Sequence, residues 1–311
     1  MSTTSDCYLV DASIYMFRAW HTLPDDLTDP QGNPINALLG FTDFVFRLLN
    51  EQQPTYIAFA FDQSLTSSCR NEIYPDYKAN RPPAPAELKH QFGRCREFLR
   101  HLGILELASN RFEADDLIGA LTEQARASRQ RAIILTADKD LTQLIGPDDI
   151  WWNYAQNKRL GWRGVEKKFG VTPDQIADLL AIAGDKVDNI PGVPGVGMAT
   201  AARLLKRFDN IENLLGNIEQ ISEMKIRGAK RVQSLIEEHQ AAILLARQLT
   251  GIFSEEATPE ISQPVRKTAD EKALTDFMQQ TGFSPARQQR WRRLIMKDKT
   301  NTEANGNTLT L

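Results

Sequence analysis

The chain has 311 residues, 41% hydrophobic and 25% charged, the balance of an ordinary globular protein with one large domain or two modest ones. No apolar run approaches the roughly 20 residues of a bilayer span, and MSTTSDCYLV has neither the basic nor the extended apolar region of a secretory leader. Cys7, Cys69 and Cys95 have no metal-like spacing and suit a reducing cytoplasm, and a net charge of −3, taken alone, argues against a nucleic-acid partner.

Four short runs rich in β-branched and aromatic residues read as strands: 7–11, 55–62, 132–138 and 150–153. Helical spacing predicts helices near 35–50, 86–102 and 113–127; in the first, Ala37, Phe41, Phe44, Val45 and Leu48 share one stripe. This alternation predicts an α/β fold, a mostly parallel sheet flanked by helices, with its site at the carboxyl ends of the strands. The segment RNEIYPDYKANRPPAP (70–85) is basic, carries two tyrosines and ends in a proline cluster, so it reads as a long mobile connection. From Thr172, a good N-cap followed by Pro173, the chain turns helical. At least one of Trp151 and Trp152 is expected in the core, and His90 and His101 at the surface. Arg287, Arg290, Arg292 and Arg293 would touch duplex DNA or form a solvated helix face, the latter preferred. The polar stretch 297–311 reads as a disordered tail.

Carboxylates stand in special places. Asp11 and Asp62 end apolar strands; Glu113, Asp115 and Asp116 open a helix; Asp138 and Asp140 follow a strand; Asp185 and Asp188 lie three apart in GDKVDN. Singly, each is explained as a cap, a turn residue or a partner of the helix dipole. Jointly they would converge on one crevice, where they repel unless cations neutralise them. Oxygen-only ligands point to Mg²⁺ or Mn²⁺ rather than zinc, and two such ions suit phosphodiester hydrolysis.

Two weaker signals accompany them. GVPGVG (192–197) opens an amphipathic helix bearing Arg203, Lys206 and Arg207; it is either a phosphate-binding helix N-terminus or a turn between packed helices. Tyr74, Tyr77, Lys78 and Arg81 combine cations with aromatics, as a strand-gripping surface does and as a solvated loop also can.

The motifs VDASIYMFRAWH, FAFDQS, YPDYKANRPPAP, FEADDLIGAL, ILTADKDLTQLI and LAIAGDKVDNIPGVPGVGMATAARLL, spread over residues 6–260, resemble the 5′-nuclease family. That family comprises the 5′→3′ exonuclease domain of bacterial DNA polymerase I and the flap endonucleases. The resemblance implies a first metal site at Asp11, Asp62, Glu113, Asp115 and Asp116, and a second at Asp138, Asp140, Asp185 and Asp188. It implies DNA contacts at Arg18, His21, Arg70, Tyr77, Lys78 and Arg81, the last three in a helical arch at about 70–100. It also implies a helix-hairpin-helix-like grip on duplex phosphates at Gly192, Val193, Gly195, Val196, Gly197, Arg203 and Lys206, with K⁺ held by the 189–197 turn. Catalysis would fall to Lys78 and Arg81 together with the nine carboxylates. Two departures stand out: Ala12-Ser13 follows the first aspartate where the polymerase form has glycine, and the sequence ends at 311 without a polymerase domain, as a free-standing nuclease or a piece of a longer chain would.

The domains implied are a nuclease core at 1–171, a helical DNA-binding region at 172–296 and the tail. The function implied is metal-dependent 5′→3′ exonuclease and 5′-flap endonuclease action on DNA, leaving 5′-phosphates, in replication or repair. The protein would be a monomer acting in the cytoplasm at the nucleoid, alongside a DNA polymerase and away from membranes. The alternatives are an RNase of PIN type and a catalytically silent structure-specific DNA-binding protein. Setting nine ligand carboxylates aside leaves 31 acidic against 37 basic residues, and 63–112 alone holds eight basic against five acidic. The net charge therefore misleads, because the acidity is concentrated where bound cations would reverse its sign.

Overall fold

The computed structural model describes residues 5–63, 67–257 and 263–306, with side chains to 298. Its strands are β1 (Asp6–Asp11), β2 (Tyr56–Asp62), β3 (Leu105–Ser109), β4 (Arg131–Leu135), β5 (Ile150–Asn153) and β6 (Lys158–Leu160). The first helices are α1 (Ala12–Thr22), α2 (Asn36–Gln52), α3 (Cys69–Ile73), α4 (Ala86–His101), α5 (Ala114–Ala127) and α6 (Trp162–Phe169). Then follow α7 (Ile176–Ala183), α8 (Met198–Phe208), α9 (Ile211–Gly216), α10 (Ala229–Glu238), α11 (Gln240–Thr250), α12 (Glu271–Gln280) and α13 (Pro285–Gly306). Two compact units result, both discontinuous in sequence: Asp6–Phe61 with Ala84–Leu107 and Ser262–Leu311, and Met1–Ser5 with Asp62–Pro83 and Ala108–Ile261.

The first unit orders its strands β3-β2-β1, with β1 and β2 parallel and Leu9 opposite Ala58. Both strands are buried along nearly their whole length, as parallel strands covered on two faces must be. The expected stripe of α2 is buried in full, and Tyr15 of α1 stacks on Phe44 at 3.8 Å. Trp291 of α13 is fully buried against Phe46 and Phe98.

The second unit orders β4-β5-β6; β4 and β5 run parallel and β6 returns antiparallel. Trp151 and Trp152 are both core. Thr172 and Gln175 close a capping box over a short 3₁₀ turn at Pro173–Gln175, and α7 follows. The mostly parallel α/β class is the one expected, and among the described residues no strand follows β6. None of the described helices is long and apolar enough to cross a membrane.

Three expectations need correction. Segment 70–85 is not one mobile connection: α3 and the turns after it are ordered, because Tyr77 is buried there as an anchor. Arg287 and Arg290 are not a simple solvated face, since both pair with Asp43; Arg292 and Arg293 are exposed as expected. Of the tail expected to be disordered, α13 continues through Gly306, and 307–311 lie outside the described residues.

Candidate active site

The unit containing Asp62–Pro83 and Ala108–Ile261 carries eight of the nine predicted carboxylates. Asp62, ending β2, accepts the Ala114 N–H at 2.9 Å and so fixes the start of α5. Glu113 is the N-cap of that helix and closes a capping box with Asp116. Asp115 is half-buried beside them.

Asp116 departs from the expected ligand role. It is fully buried, and Arg70 donates to both of its oxygens at 2.8 Å. The N–H groups of Glu113 and Phe253 add bonds of 3.0 and 2.9 Å, so no lone pair faces a ligand. Arg70, expected on DNA, is itself 3% exposed and spends its remaining donors on the carbonyls of Leu249 and Gly251. Both residues hold Glu113 in place.

The next layer is cationic. Tyr77, also expected to face DNA, is buried; its hydroxyl lies 3.0 Å from Glu113 Oε2 and 3.2 Å from Asp188 Oδ2. Burial and Glu113 push its phenol far up, so it stays a donor. Lys78 has a left-handed backbone (φ 56°), and its N–H reaches the Asp188 carbonyl. Its Nζ donates to Glu113 at 2.7 Å and stands 3.9 Å from Asp188. Burial opposes that charge, but Glu113 and Asp188 outweigh it and raise the ammonium above its usual value. Arg81 pairs with Asp188, and Asn80 and Asn189 stitch the same two segments together. Burial raises the Asp188 carboxyl despite Lys78 and Arg81.

A second node lies after β4. Asp138 accepts the Asp140 N–H at 2.9 Å, and Trp151 Nε1 donates to the Asp138 carbonyl at 2.7 Å, holding the loop. Burial, then Asp138, pushes Asp140 up to about 7. Lys139 bridges the node, 2.9 Å from Asp140 and 2.5 Å from Asp185. Burial resists ionisation of Asp185, but Lys139 and the Val187 N–H win and hold it low.

The donor chemistry suits hard cations, because every candidate ligand is an oxygen and each node already bridges carboxylates through a positive charge. Among the described residues no three acidic, histidine or cysteine side chains close around one point; the ammonium groups of Lys78 and Lys139 stand between them instead.

The 189–197 turn divides by role. Gly184 (φ 76°) and Gly192 pack backbone to backbone, and a Cβ on Gly192 would lie 2.2 Å from the Gly184 nitrogen. Gly192 therefore serves chain packing, and Val193 and Val196 are buried, which corrects their expected contact with DNA. Gly195 and Gly197 are exposed, with open space around Gly197, the N-cap of α8; Arg203 and Lys206 are exposed on that helix. In the other unit, Asp11 ends β1 buried, and Arg18 and His21 are exposed on α1. Sequence reasoning missed Lys139 and the Arg70–Asp116 pair and expected Trp151 only as a core residue; Lys139, set between two aspartates in ADKD, left a visible trace.

Two family models cover the chain in succession: the 5′-3′ exonuclease N-terminal resolvase-like domain over 6–170 and its C-terminal SAM fold over 171–272. A 5′-3′ exonuclease of Buchnera aphidicola is 33% identical over 267 residues, covering 86% of this chain and 90% of that one. The chain belongs to the 5′-3′ exonuclease family. DNA polymerase I of Pseudomonas aeruginosa is 39% identical over 245 residues, 78% of this chain but 27% of the polymerase. The chain thus spans about a quarter of the length of such relatives. Its fold is shared with a flap endonuclease of bacteriophage T5, solved in a complex with DNA and metal ions. There the TM-score is 0.63 at 17% identity, over 89% of this chain and 99% of that one.

Proposed function

We propose that this member of the family hydrolyses DNA phosphodiesters from the 5′ side, as a metal-dependent 5′→3′ exonuclease and 5′-flap endonuclease that leaves 5′-phosphates. The observation that carries this reading is the pair of cation-bridged carboxylate nodes, Lys78 between Glu113 and Asp188 and Lys139 between Asp140 and Asp185. Asp138, Asp140, Asp185 and Asp188 would hold one Mg²⁺, with Mn²⁺ able to substitute; Asp62, Glu113 and Asp115 are candidates for another. Bound divalent ions supply an activated water, charge neutralisation and stabilisation of the leaving oxygen.

The chain's own residues do the rest. The single hydroxyl proton of Tyr77 lies within reach of Glu113 Oε2 at 3.0 Å and Asp188 Oδ2 at 3.2 Å, so the buried phenol holds the two carboxylates near each other. Lys78, a buried ammonium with three donors, passes its hydrogen bonds to the scissile phosphate and stabilises the charge that develops there. Arg81, more exposed, binds the same strand. The exposed N-terminus of α8, with Arg203 and Lys206, binds duplex phosphates, and carbonyls of the 189–197 turn hold K⁺. The protein works as a monomer at the nucleoid, in replication or repair, beside a DNA polymerase. The test measures cleavage of labelled 5′-flap, nicked and blunt duplexes in Mg²⁺ and Mn²⁺, for wild type and for Asp138→Asn with Asp140→Asn. Equal cleavage by both would sink the ligand assignment.

A further inference from the structure

A second basic surface lies apart from these residues in sequence and in the other unit. Helix α13 begins at Pro285, past the last residue matched by the family models, 272. Between it and α2 runs an open groove of about 520 Å³. Phe46 and Leu294 line its floor, and Asn50, Arg290, Arg293 and Lys297 line its sides. The helix is fixed there firmly: Trp291 is fully buried, edge-on to Phe46 at 5.3 Å and to Phe98 at 5.0 Å. Arg287 and Arg290 both pair with Asp43, and the Arg290 guanidinium lies 4.3 Å over the Phe46 ring.

The charge is unbalanced. Residues 285–297 hold five basic side chains and no acidic one, and Asp43 offsets one of the five. Among the described residues no carboxylate lines the groove. Arg293 and Lys297 are exposed with no ion pair among the described residues. Such a surface selects an anion. An acidic polypeptide would want an apolar anchor pocket at its centre, yet the one aromatic ring on the floor is already covered by Arg290. Arg, Lys and Asn side chains along an open groove are the donors that phosphate oxygens take.

We infer that the α2–α13 groove binds the phosphodiester backbone of DNA, as a second contact surface of this nuclease. The inference rests on the nuclease reading above. The test is anisotropy titration of a 5′-flap duplex without divalent metal, from 50 to 200 mM KCl, with Arg293→Ala/Lys297→Ala and with Arg292→Ala, which changes an exposed charge outside the groove. Each lost duplex contact lowers the slope of log K against log salt by about 0.9, so the double variant falls by roughly 1.8, and its affinity deficit shrinks about tenfold across that range. Arg292→Ala keeps the wild-type slope, and all three proteins melt together. An unchanged slope in the double variant, while wild type still cuts the flap in Mg²⁺, overturns the groove and leaves the nuclease reading standing. An equal fall per charge in Arg292→Ala also overturns it, as general electrostatics. A wild type that neither binds nor cuts the flap defeats both.

Discussion

Replacing Arg70 by lysine keeps the charge and removes the geometry. The guanidinium makes four bonds at once: two of 2.8 Å to Asp116, one of 3.0 Å to the Leu249 carbonyl and one of 2.7 Å to the Gly251 carbonyl. It also lies 4.7 Å from the Phe253 ring. An ammonium is a point charge and cannot span a carboxylate and two carbonyls on opposite sides. Asp116, fully buried, is then left short of donors, and at least one carbonyl is orphaned. Each buried acceptor left unsatisfied in this way costs about 1–3 kcal/mol, against a total stability of about 5–15 kcal/mol. The Glu113 N–H bond to Asp116 loosens with it, so kcat falls beyond what lost folding explains. Urea unfolding followed by tryptophan fluorescence gives the cost, and a cycle with Asp116→Asn gives the coupling, expected at 2 kcal/mol or more by analogy with contacting pairs of about 0.5–3 kcal/mol. An Arg70→Lys protein within about 1 kcal/mol of wild type, uncoupled to Asp116, would refute the positioning role.

Lys78→Ala should lower kcat by two orders of magnitude or more while the Kd for duplex stays within a few-fold, as single-turnover and binding assays will show; a pure KM effect contradicts the transition-state role. Gly192→Ala forces a Cβ against the Gly184 backbone and should lower Tm steeply, whereas Gly197→Ala, with open space around it, should keep Tm and weaken duplex binding. All three cysteines are buried, and burial followed by Asp6 pushes Cys7 up to about 12. At pH 8 its native thiolate fraction is about one in ten thousand, so disulfide-reagent labelling should track unfolding; fast labelling of native protein contradicts this burial. Because the folded thiol holds its proton longer than the unfolded one, its contribution to stability is intact below pH 9 and declines as pH rises from 9 towards 12.

What could be read from sequence depended on the range over which each signal is written. Strands buried on both faces announce themselves as apolar runs, so β1, β2, β4 and β5 were legible. Strand β3 is half-buried at every residue and β6 is three residues long, so neither carries a period. Asp62, Asp138 and Asp140 were legible because they follow such runs. Asp116 was not separable from Asp115, since what distinguishes them is Arg70, 46 residues away, and the Phe253 amide, 137 away. Tyr77 read as an exposed aromatic in a polar, proline-rich stretch; its burial follows from two carboxylates contributed by other segments. The GVPGVG turn gave its position correctly but not the split between packing glycine and open glycine, which depends on whether Gly184 lies opposite.

The cationic bridges bear on how a crowded acidic site folds at all. Glu113, Asp185 and Asp188 are largely removed from water, and carboxylates so placed would protonate or splay apart if left alone. Lys78, Arg81 and Lys139 remove that obstacle by lying between them, so the acidic array can assemble from the chain's own charges. The Asp138–Asp140 pair is where this compensation is least complete, and Asp140 responds by rising to about 7. The same bridges define what a substrate or ion must displace. On the proposed nuclease reading, a phosphate would compete with Glu113 for Lys78, and a cation would compete with Lys139 for Asp140 and Asp185. An ammonium released from a carboxylate would then be free to meet a phosphate, so metal and nucleic acid would strengthen each other's binding.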